Sequence, residues 1–363
     1  MPDTPGADAP SPARLAGHVQ DFERLLVTYF DSLRDSLDVP SCGDLAPECL
    51  ELVRELALRG GKRIRVVVLR EAAGLVTGDP VAGLDQAALS LELLHTHGLI
   101  HDDLIDDSAV RRGGPSTYYA YRARFPGRPR TALGLTVLAG DLALALAVRV
   151  LLGSEADASV RQAMVEEQTR AAAETIMGQV ADLERDLGDT VPDDETLHQV
   201  ADFKSARYSL LAPLRLGLLA AGGQPAHHEQ ELRRYARLVG IAAQMRDDYL
   251  DLFGDGEETG KPIGTDFRDG KRSYVVAALL NTLTGAERSV VEAALGAPSC
   301  PAGTIATIRG IAEERGVAAR LRAGMRDHAE QAARVAGGWR GRWRSEAVGF
   351  FEALPYWSVE RSR

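Results

Sequence analysis

The 363-residue chain has little cysteine: Cys42, Cys49 and Cys300 are all it holds. An odd count without paired metal-ligand spacing excludes a disulfide framework and a cysteine-based metal cage, and points to a reducing, cytoplasmic setting. Basic charge is also short. Forty-two lysines and arginines stand against 52 acids, giving a formal net charge of −10 and a pI near 5.4. A general nucleic-acid surface, which needs a basic field, is excluded by that balance, so any anionic ligand must be met locally. The opening MPDTPGADAPSPAR lacks the apolar core of a signal peptide, and its Pro, Ala and Asp content predicts a disordered leader over residues 1–12. No run reaches the ~18 uninterrupted apolar residues of a membrane span. The nearest, TALGLTVLAGDLALALAV from Thr131, is interrupted by Asp141 and followed by Arg149. Apolar on all sides, it is expected to be a helix buried at the centre of a bundle. Alternating strand-like runs, solenoid-period repeats and long linkers are missing too.

What is present is helical periodicity. Apolar residues recur at three and four through 13–37, 46–58, 63–76, 83–105, 131–152, 158–187, 193–221, 228–253, 286–296, 303–334 and 343–354. Breakers such as GDP at 78–80, GGP at 113–115 and GAPSCPAG at 296–303 fall between these segments. The pattern predicts an all-α fold, one helical bundle over residues 13–363.

Two of these helices end in acids. HTHGLIHDDLIDD at 95–107 turns acidic at Asp102, Asp103 and Asp106, at a helix C-terminus where the macrodipole already disfavours negative charge. Asp102 and Asp106 are four apart and share a face. QMRDDYLDLF at 244–253 repeats the arrangement, with Asp247 and Asp251 on one face and Asp248 beside them. Such carboxylates repel unless a cation sits among them. An oxygen-only set selects a hard ion such as magnesium, which keeps open positions for substrate phosphates. RGGKRIR at 59–65 supplies Lys62, Arg63 and Arg65 beside two glycines at a helix start; Arg111 and Arg112 follow the first acids, and Lys204, Lys261 and Lys271 flank the second. Taken singly, each would be read as a solvated charge. Their shared adjacency to the acids predicts a diphosphate site.

GGKRIR, ELLHTHGLIHDDLIDDSAVRRGGPS, AGD at 139–141, GQVAD at 178–182, KSARY at 204–208 and QMRDDYLDLFGDGEETGKPIGTDFRDGKRS closely resemble the trans-isoprenyl diphosphate synthases. The likeness runs over roughly residues 45–290 and is weak in the leader and the last seventy residues. It implies an isoprenoid-synthase-type bundle with a central cavity, a homodimer, and a magnesium-dependent condensation of isopentenyl diphosphate with an allylic diphosphate. About three magnesium ions per active site are implied, two on the first DDxxD motif and one on the second. Asp102, Asp106 and Asp247 would be the main ligands, with Asp103, Asp248 and Asp251 in support. Arg111, Lys204 and Lys261 would grip the allylic diphosphate, and Lys62, Arg65, His95 and Arg112 the isopentenyl diphosphate; Lys271, beyond the second motif, is a further substrate-binding candidate. Gln179, Ser205 and Gln244 match positions lining the carbocation. Ser205 stands where threonine is common and Val66 where proline is usual.

The positions before Asp102 bear on product length, because the growing tail would pass along this helix. Aromatic residues four and five before the motif typically stop the family at fifteen carbons; here Gly98 and His97 stand there, with Leu94 a turn deeper. The implied product is geranylgeranyl diphosphate, with farnesyl or longer chains as alternatives. A class I terpene cyclase would normally carry an Asn/Ser/Glu motif in place of the second acidic one. A non-catalytic partner subunit is the remaining alternative, against which both motifs and the basic residues speak.

Overall fold

Glycine, proline and polar clusters cut the apolar periodicity, and the chain folds into helices between those cuts. The computed structural model describes residues 12–188, 190–254, 263–297 and 299–360. Residues 1–11 of the expected leader, and Lys261, lie outside them. The order is α1 (Pro12–Ser36), α2 (Leu45–Leu58), α3 (Ile64–Val76), α4 (Leu84–Ile105), β1 (Val110–Arg111), β2 (Gly114–Pro115), α5 (Thr117–Arg124), α6 (Pro129–Leu152), α7 (Ala158–Leu187) and α8 (Asp194–Ala201). A π-helix (Asp202–Leu211) runs into α9 (Ala212–Ala220), and a short 3-10 turn (Pro225–His228) leads to α10 (Glu229–Phe253). Then come α11 (Thr265–Asp269), α12 (Tyr274–Thr282), α13 (Gly285–Ala294), α14 (Ala302–Glu314), α15 (Val317–Gly337) and α16 (Ser345–Glu360).

Packing divides the chain into two compact units. The N-terminal unit, residues 12–172 with 212–225, is built on α4, which is buried over most of its length and lies along α6, while α3 lies against α9. Gly217 makes the α3–α9 approach feasible, since a Cβ there would stand 2.3 Å from the Leu69 carbonyl oxygen. Buried charges in this unit are matched: Arg63 donates to Glu92 at 2.9 Å and Arg215 to Glu167 at 3.0 Å. Removing one partner of such a pair typically costs ~3–5 kcal/mol. The C-terminal unit, residues 173–211 with 226–360, is organised around α10, which packs on the π-helix, α15 and α16. Tyr235, Trp339 and Phe351 fill its core, and the Tyr235 hydroxyl donates to the Phe351 carbonyl at 2.8 Å.

Several elements depart from the periodicity. The helix expected over 303–334 is two, α14 and α15, because Gly316 takes a left-handed φ of 72°. The one expected over 193–221 contains the π-helix. Segments 117–124 and 274–282 are helical where none was expected, and a two-residue hairpin joins Val110 to Pro115 where no strand was foreseen. The largest correction concerns α6. It is not buried on all sides: only 39% of its most apolar stretch is buried, and Leu133, Val137 and Leu138 stand exposed, because α4 takes the central position instead. Among the described residues, α6 is the one helix long and apolar enough to cross a membrane by length and composition.

Candidate active site

In the N-terminal unit, α4 ends at its acids and the β1–β2 hairpin folds back over them. Arg111 Nε donates to Asp103 Oδ1 at 2.7 Å and its Nη2 to Asp102 Oδ2 at 3.3 Å, with a further Nη2 contact to Asp103. Arg111 is therefore the cation the acidic cluster requires. Burial draws the Arg111 guanidinium down, but Asp103, Asp102 and Asp106 more than offset it and hold the group above its ordinary value. Asp103 is buried against this arginine, while Asp102 and Asp106 keep partial exposure. Arg59 secures the hairpin by donating to the Pro115 carbonyl at 2.7 Å and the Arg111 carbonyl at 3.3 Å. Three non-glycine residues among those described adopt left-handed backbone, Arg63 (φ 46°), Asp107 (φ 47°) and Arg112 (φ 50°), and all three lie in or beside the motifs. Non-glycine strain of this kind concentrates at functional sites.

A cationic pocket adjoins the acids. Arg112 Nη2 lies 3.1 Å from His95 Nε2, and Gly61 allows the approach, since a Cβ at 61 would stand 3.0 Å from that Nη2. Burial, then the charges of Arg65, Arg112, Arg111 and Arg63, push His95 well below the ordinary imidazole range. Both influences favour the neutral imidazole, whose Nε2 lone pair can accept from Arg112. Burial also lowers Arg112; Glu92 opposes this, while Arg63, Arg65 and Arg111 add to it. Such crowding of positive charge favours an anionic ligand. Lys62 is exposed at the same loop and Arg65 is half-buried one residue into α3. Arg63, by contrast, is buried and structural: besides Glu92 it donates to the Ala57 carbonyl at 2.8 Å.

The residues expected to set product length separate. Leu94 and His97 are buried, and His97 turns to α6, its Nδ1 3.0 Å from the Gly140 carbonyl. Gly98 faces open space, with nothing within 4 Å of a Cβ placed there.

In the C-terminal unit, the second motif lies in the last two turns of α10. Its three acids differ sharply. The Asp247 side chain is 69% exposed. Asp248 is buried, accepts from Gln244 Nε2 and from the Tyr274 backbone N–H, each at 2.8 Å, and is pushed up to about 6, chiefly by burial. Asp251 accepts from the Thr265 and Asp266 N–H groups at 3.1 and 3.2 Å and so caps α11. Ser205 donates to Gln244 Oε1 at 3.3 Å, and Lys204 Nζ to Asp182 at 2.6 Å. Gly178 brings α7 against the π-helix that carries both: a Cβ at 178 would lie 2.3 Å from the Lys204 nitrogen. One residue on, Gln179 Nε2 is buried without a hydrogen-bond partner among the described residues, as suits a group aimed at a ligand. A small cavity of about 90 Å³ is bordered by Asp182, Lys204, Gln244, Asp248, Asp266 and Lys271.

Sequence reasoning passed over Arg59, Asp182, Arg185 and Asp266. Burial raises Asp182, but Lys204 and Arg185 more than offset this and hold it below its ordinary value. Burial, then the neighbouring Asp248 and Asp251, push Asp266 well above the carboxylate range. The three-residue spacing of Gln179, Asp182 and Arg185 on one face of α7 was the available signal.

Helical packing with carboxylates at two helix ends and buried arginines beside them defines an enzyme of the isoprenoid-synthase class. The sequence profile of the polyprenyl synthetase family matches residues 46–309. The chain belongs to that family, the trans-isoprenyl diphosphate synthases. It is 30% identical over 268 residues to a short chain isoprenyl diphosphate synthase of Methanothermobacter thermautotrophicus, covering 74% of this chain and 78% of that one. It is 33% identical over 239 residues to a farnesyl diphosphate synthase of Geobacillus stearothermophilus, covering 64% and 74%. The crystal structure of a geranylgeranyl pyrophosphate synthase from Corynebacterium glutamicum, complexed with isoprenyl diphosphate and magnesium, superposes with a TM-score of 0.86 at 28% identity, covering 96% of this chain and 99% of that one.

Proposed function

We propose that this enzyme joins isopentenyl diphosphate head-to-tail to an allylic diphosphate, with magnesium, and that its main product is geranylgeranyl diphosphate. The observation that carries the reading is the crowding of Arg63, Arg65, Arg111 and Arg112 around His95, beside an acidic helix end. That pairing suits one ligand class, a diphosphate that needs both cationic side chains and a metal. Asp102, Asp106 and the exposed Asp247 have the oxygen donors that fit magnesium. Bound there, the ion would supply electrostatic stabilisation of the departing pyrophosphate. Arg111, the counter-ion of Asp102 and Asp103, would with Lys204 and Lys261 grip the allylic diphosphate. Lys62, Arg65, His95 and Arg112 would hold isopentenyl diphosphate. Gln179, Ser205 and Gln244 offer oriented dipoles and no strong nucleophile to the cation. Its attack by the isopentenyl double bond forms one carbon–carbon bond, and one proton leaves, with released pyrophosphate the acceptor.

Open space at Gly98 supports the twenty-carbon product. Radiolabelled isopentenyl diphosphate, supplied with each allylic starter and followed by chromatography of the dephosphorylated products, tests both reaction and length. Gly98→Phe is expected to shift the main product to fifteen carbons or fewer. An unchanged product formed at the unchanged rate would remove the tail from this face of α4.

A second copy of the chain is the partner proposed for the exposed face of α6. Leu138, at 60% exposed, stands in a stripe with Leu133 and Val137, and apolar stripes of this kind mark interaction surfaces. Leu138→Asp is expected to convert a dimer to a monomer in size-exclusion light scattering. An unaltered mass would place the subunit contact elsewhere.

A further inference from the structure

One turn before the first acidic motif, α4 and α6 bring together a donor set of a different kind. A ring nitrogen of His97, a ring nitrogen of His101 and a carboxylate oxygen of Asp141 all lie within 4.8 Å of one another. The histidines are four apart, so both rings leave one face of α4, and they stand edge to face with centroids 4.5 Å apart. Asp141 Oδ1 is 3.9 Å from His101 Nε2. Ligands held at ~2.0–2.2 Å from one ion are roughly 3–4 Å from each other, so side-chain shifts of about an ångström would close the set.

Three local features suit this arrangement to a metal. The Gly140 carbonyl lies 3.0 Å from His97 Nδ1; a ring N–H given to a backbone carbonyl fixes the tautomer and leaves the other nitrogen's lone pair for an ion. Gly140 also makes room for the second ring, because a Cβ there would stand 2.3 Å from His101 Nε2. Lastly, the Asp141 side chain is 59% exposed on a face of α6 that otherwise presents Leu133, Val137 and Leu138. It is a charge in an apolar stripe that a second copy of the chain would cover, and an ion there would offset the cost of burying it.

We propose that His97, His101 and Asp141 form a site for a borderline divalent transition ion such as Zn²⁺ or Co²⁺, separate from the all-oxygen aspartate sets. Two imidazoles and one carboxylate favour such ions over magnesium, which prefers oxygen donors alone. An ion here would tie α4 to α6 one residue ahead of Asp102. The site stands on these three side chains and does not depend on the reaction or the product proposed above.

The competing account is a hydrogen-bonded helix contact, since His101 Nε2 also lies 3.3 Å from the Val137 carbonyl. Full-length protein, stripped with a chelator and titrated with Co²⁺ in excess Mg²⁺ to occupy the oxygen-only sets, separates the two. One Co²⁺ per chain, with the visible bands of a nitrogen-ligated ion, is the expected result. Asp141→Asn should weaken it by about tenfold or more, as loss of a metal's supporting group commonly does, and His101→Gln should abolish the bands. Equal Co²⁺ uptake in wild type and both variants, or no uptake once Mg²⁺ is in excess, would overturn the proposal. If His101→Gln does not fold, Asp141→Asn, an exposed and near-isosteric change, carries the test alone.

Discussion

Asp247→Ala is expected to cut turnover by ~10²-fold or more, the usual cost of losing one contact to a developing charge, while the protein melts at or slightly above the wild-type temperature. The Asp247 side chain is 69% exposed, and Arg246 pairs with it at 3.3 Å. Removing it relieves repulsion among carboxylates and empties no core. Asp102→Ala should behave alike in turnover. Asp248→Ala should differ in stability, although it stands next in sequence to Asp247. Its carboxylate accepts from Gln244 and from the buried Tyr274 N–H, and an unsatisfied buried donor costs ~1–3 kcal/mol. That variant should lose both activity and stability. Steady-state rates with saturating substrates, paired with thermal melts, make the comparison. Near-normal turnover in Asp247→Ala would defeat the metal assignment, and a large drop in its melting temperature would assign it a structural role instead.

Gly178→Ala should be as damaging from a single methyl group. The added Cβ would lie 2.3 Å from the Lys204 nitrogen, 2.5 Å from the Phe203 carbonyl carbon and 2.6 Å from the Lys204 Cα. These are backbone atoms of the π-helix and cannot swing aside as a side chain could. Overpacking of this sort costs ~1–3 kcal/mol, and here the relaxation must move Lys204 and Ser205. Turnover is therefore expected to fall by a factor well beyond the loss of folded protein, with the Michaelis constant for the allylic substrate rising. A variant with wild-type kinetics and an unchanged melt would mean that α7 and the π-helix have slack between them.

How far the sequence spoke depended on the range of the interaction. Asp102, Asp106, Asp247 and Asp251 were legible because four-residue spacing at the end of an apolar helix is a local signal. Helix α5 was missed because it is short and its start rests on Ser116 accepting from the Tyr119 N–H, a cap hidden in a polar run. Helix α12, YVVAALLNT, is an apolar run whose period is ambiguous over nine residues. The single helix expected over 193–221 concealed the ten-residue π-helix because so short a segment is only about two turns long, too few for its wider spacing to stand out from the apolar pattern. The surroundings of Asp266 and Asp182 were invisible for another reason. Each is set by neighbours far along the chain, Asp248 and Asp251 for one and Lys204 for the other. The exposed stripe of α6 went unread because composition reports that a helix is apolar without reporting which helix wins the centre.

The left-handed backbone at Arg63 and Arg112 places two demands on each position. Left-handed φ costs an L-residue ~1–2 kcal/mol that glycine escapes, so glycine at either position would relax the local conformation. It would also delete a guanidinium, the one bonded to Glu92 at 63 and the one against His95 at 112. A laboratory screen that selects only for heat resistance would have reason to drift towards glycine at 112, and one that selects for turnover to resist it. These loops are places where a thermostabilised variant could gain robustness while losing its grip on the ligand, and they are the first positions to hold fixed in any redesign of this scaffold.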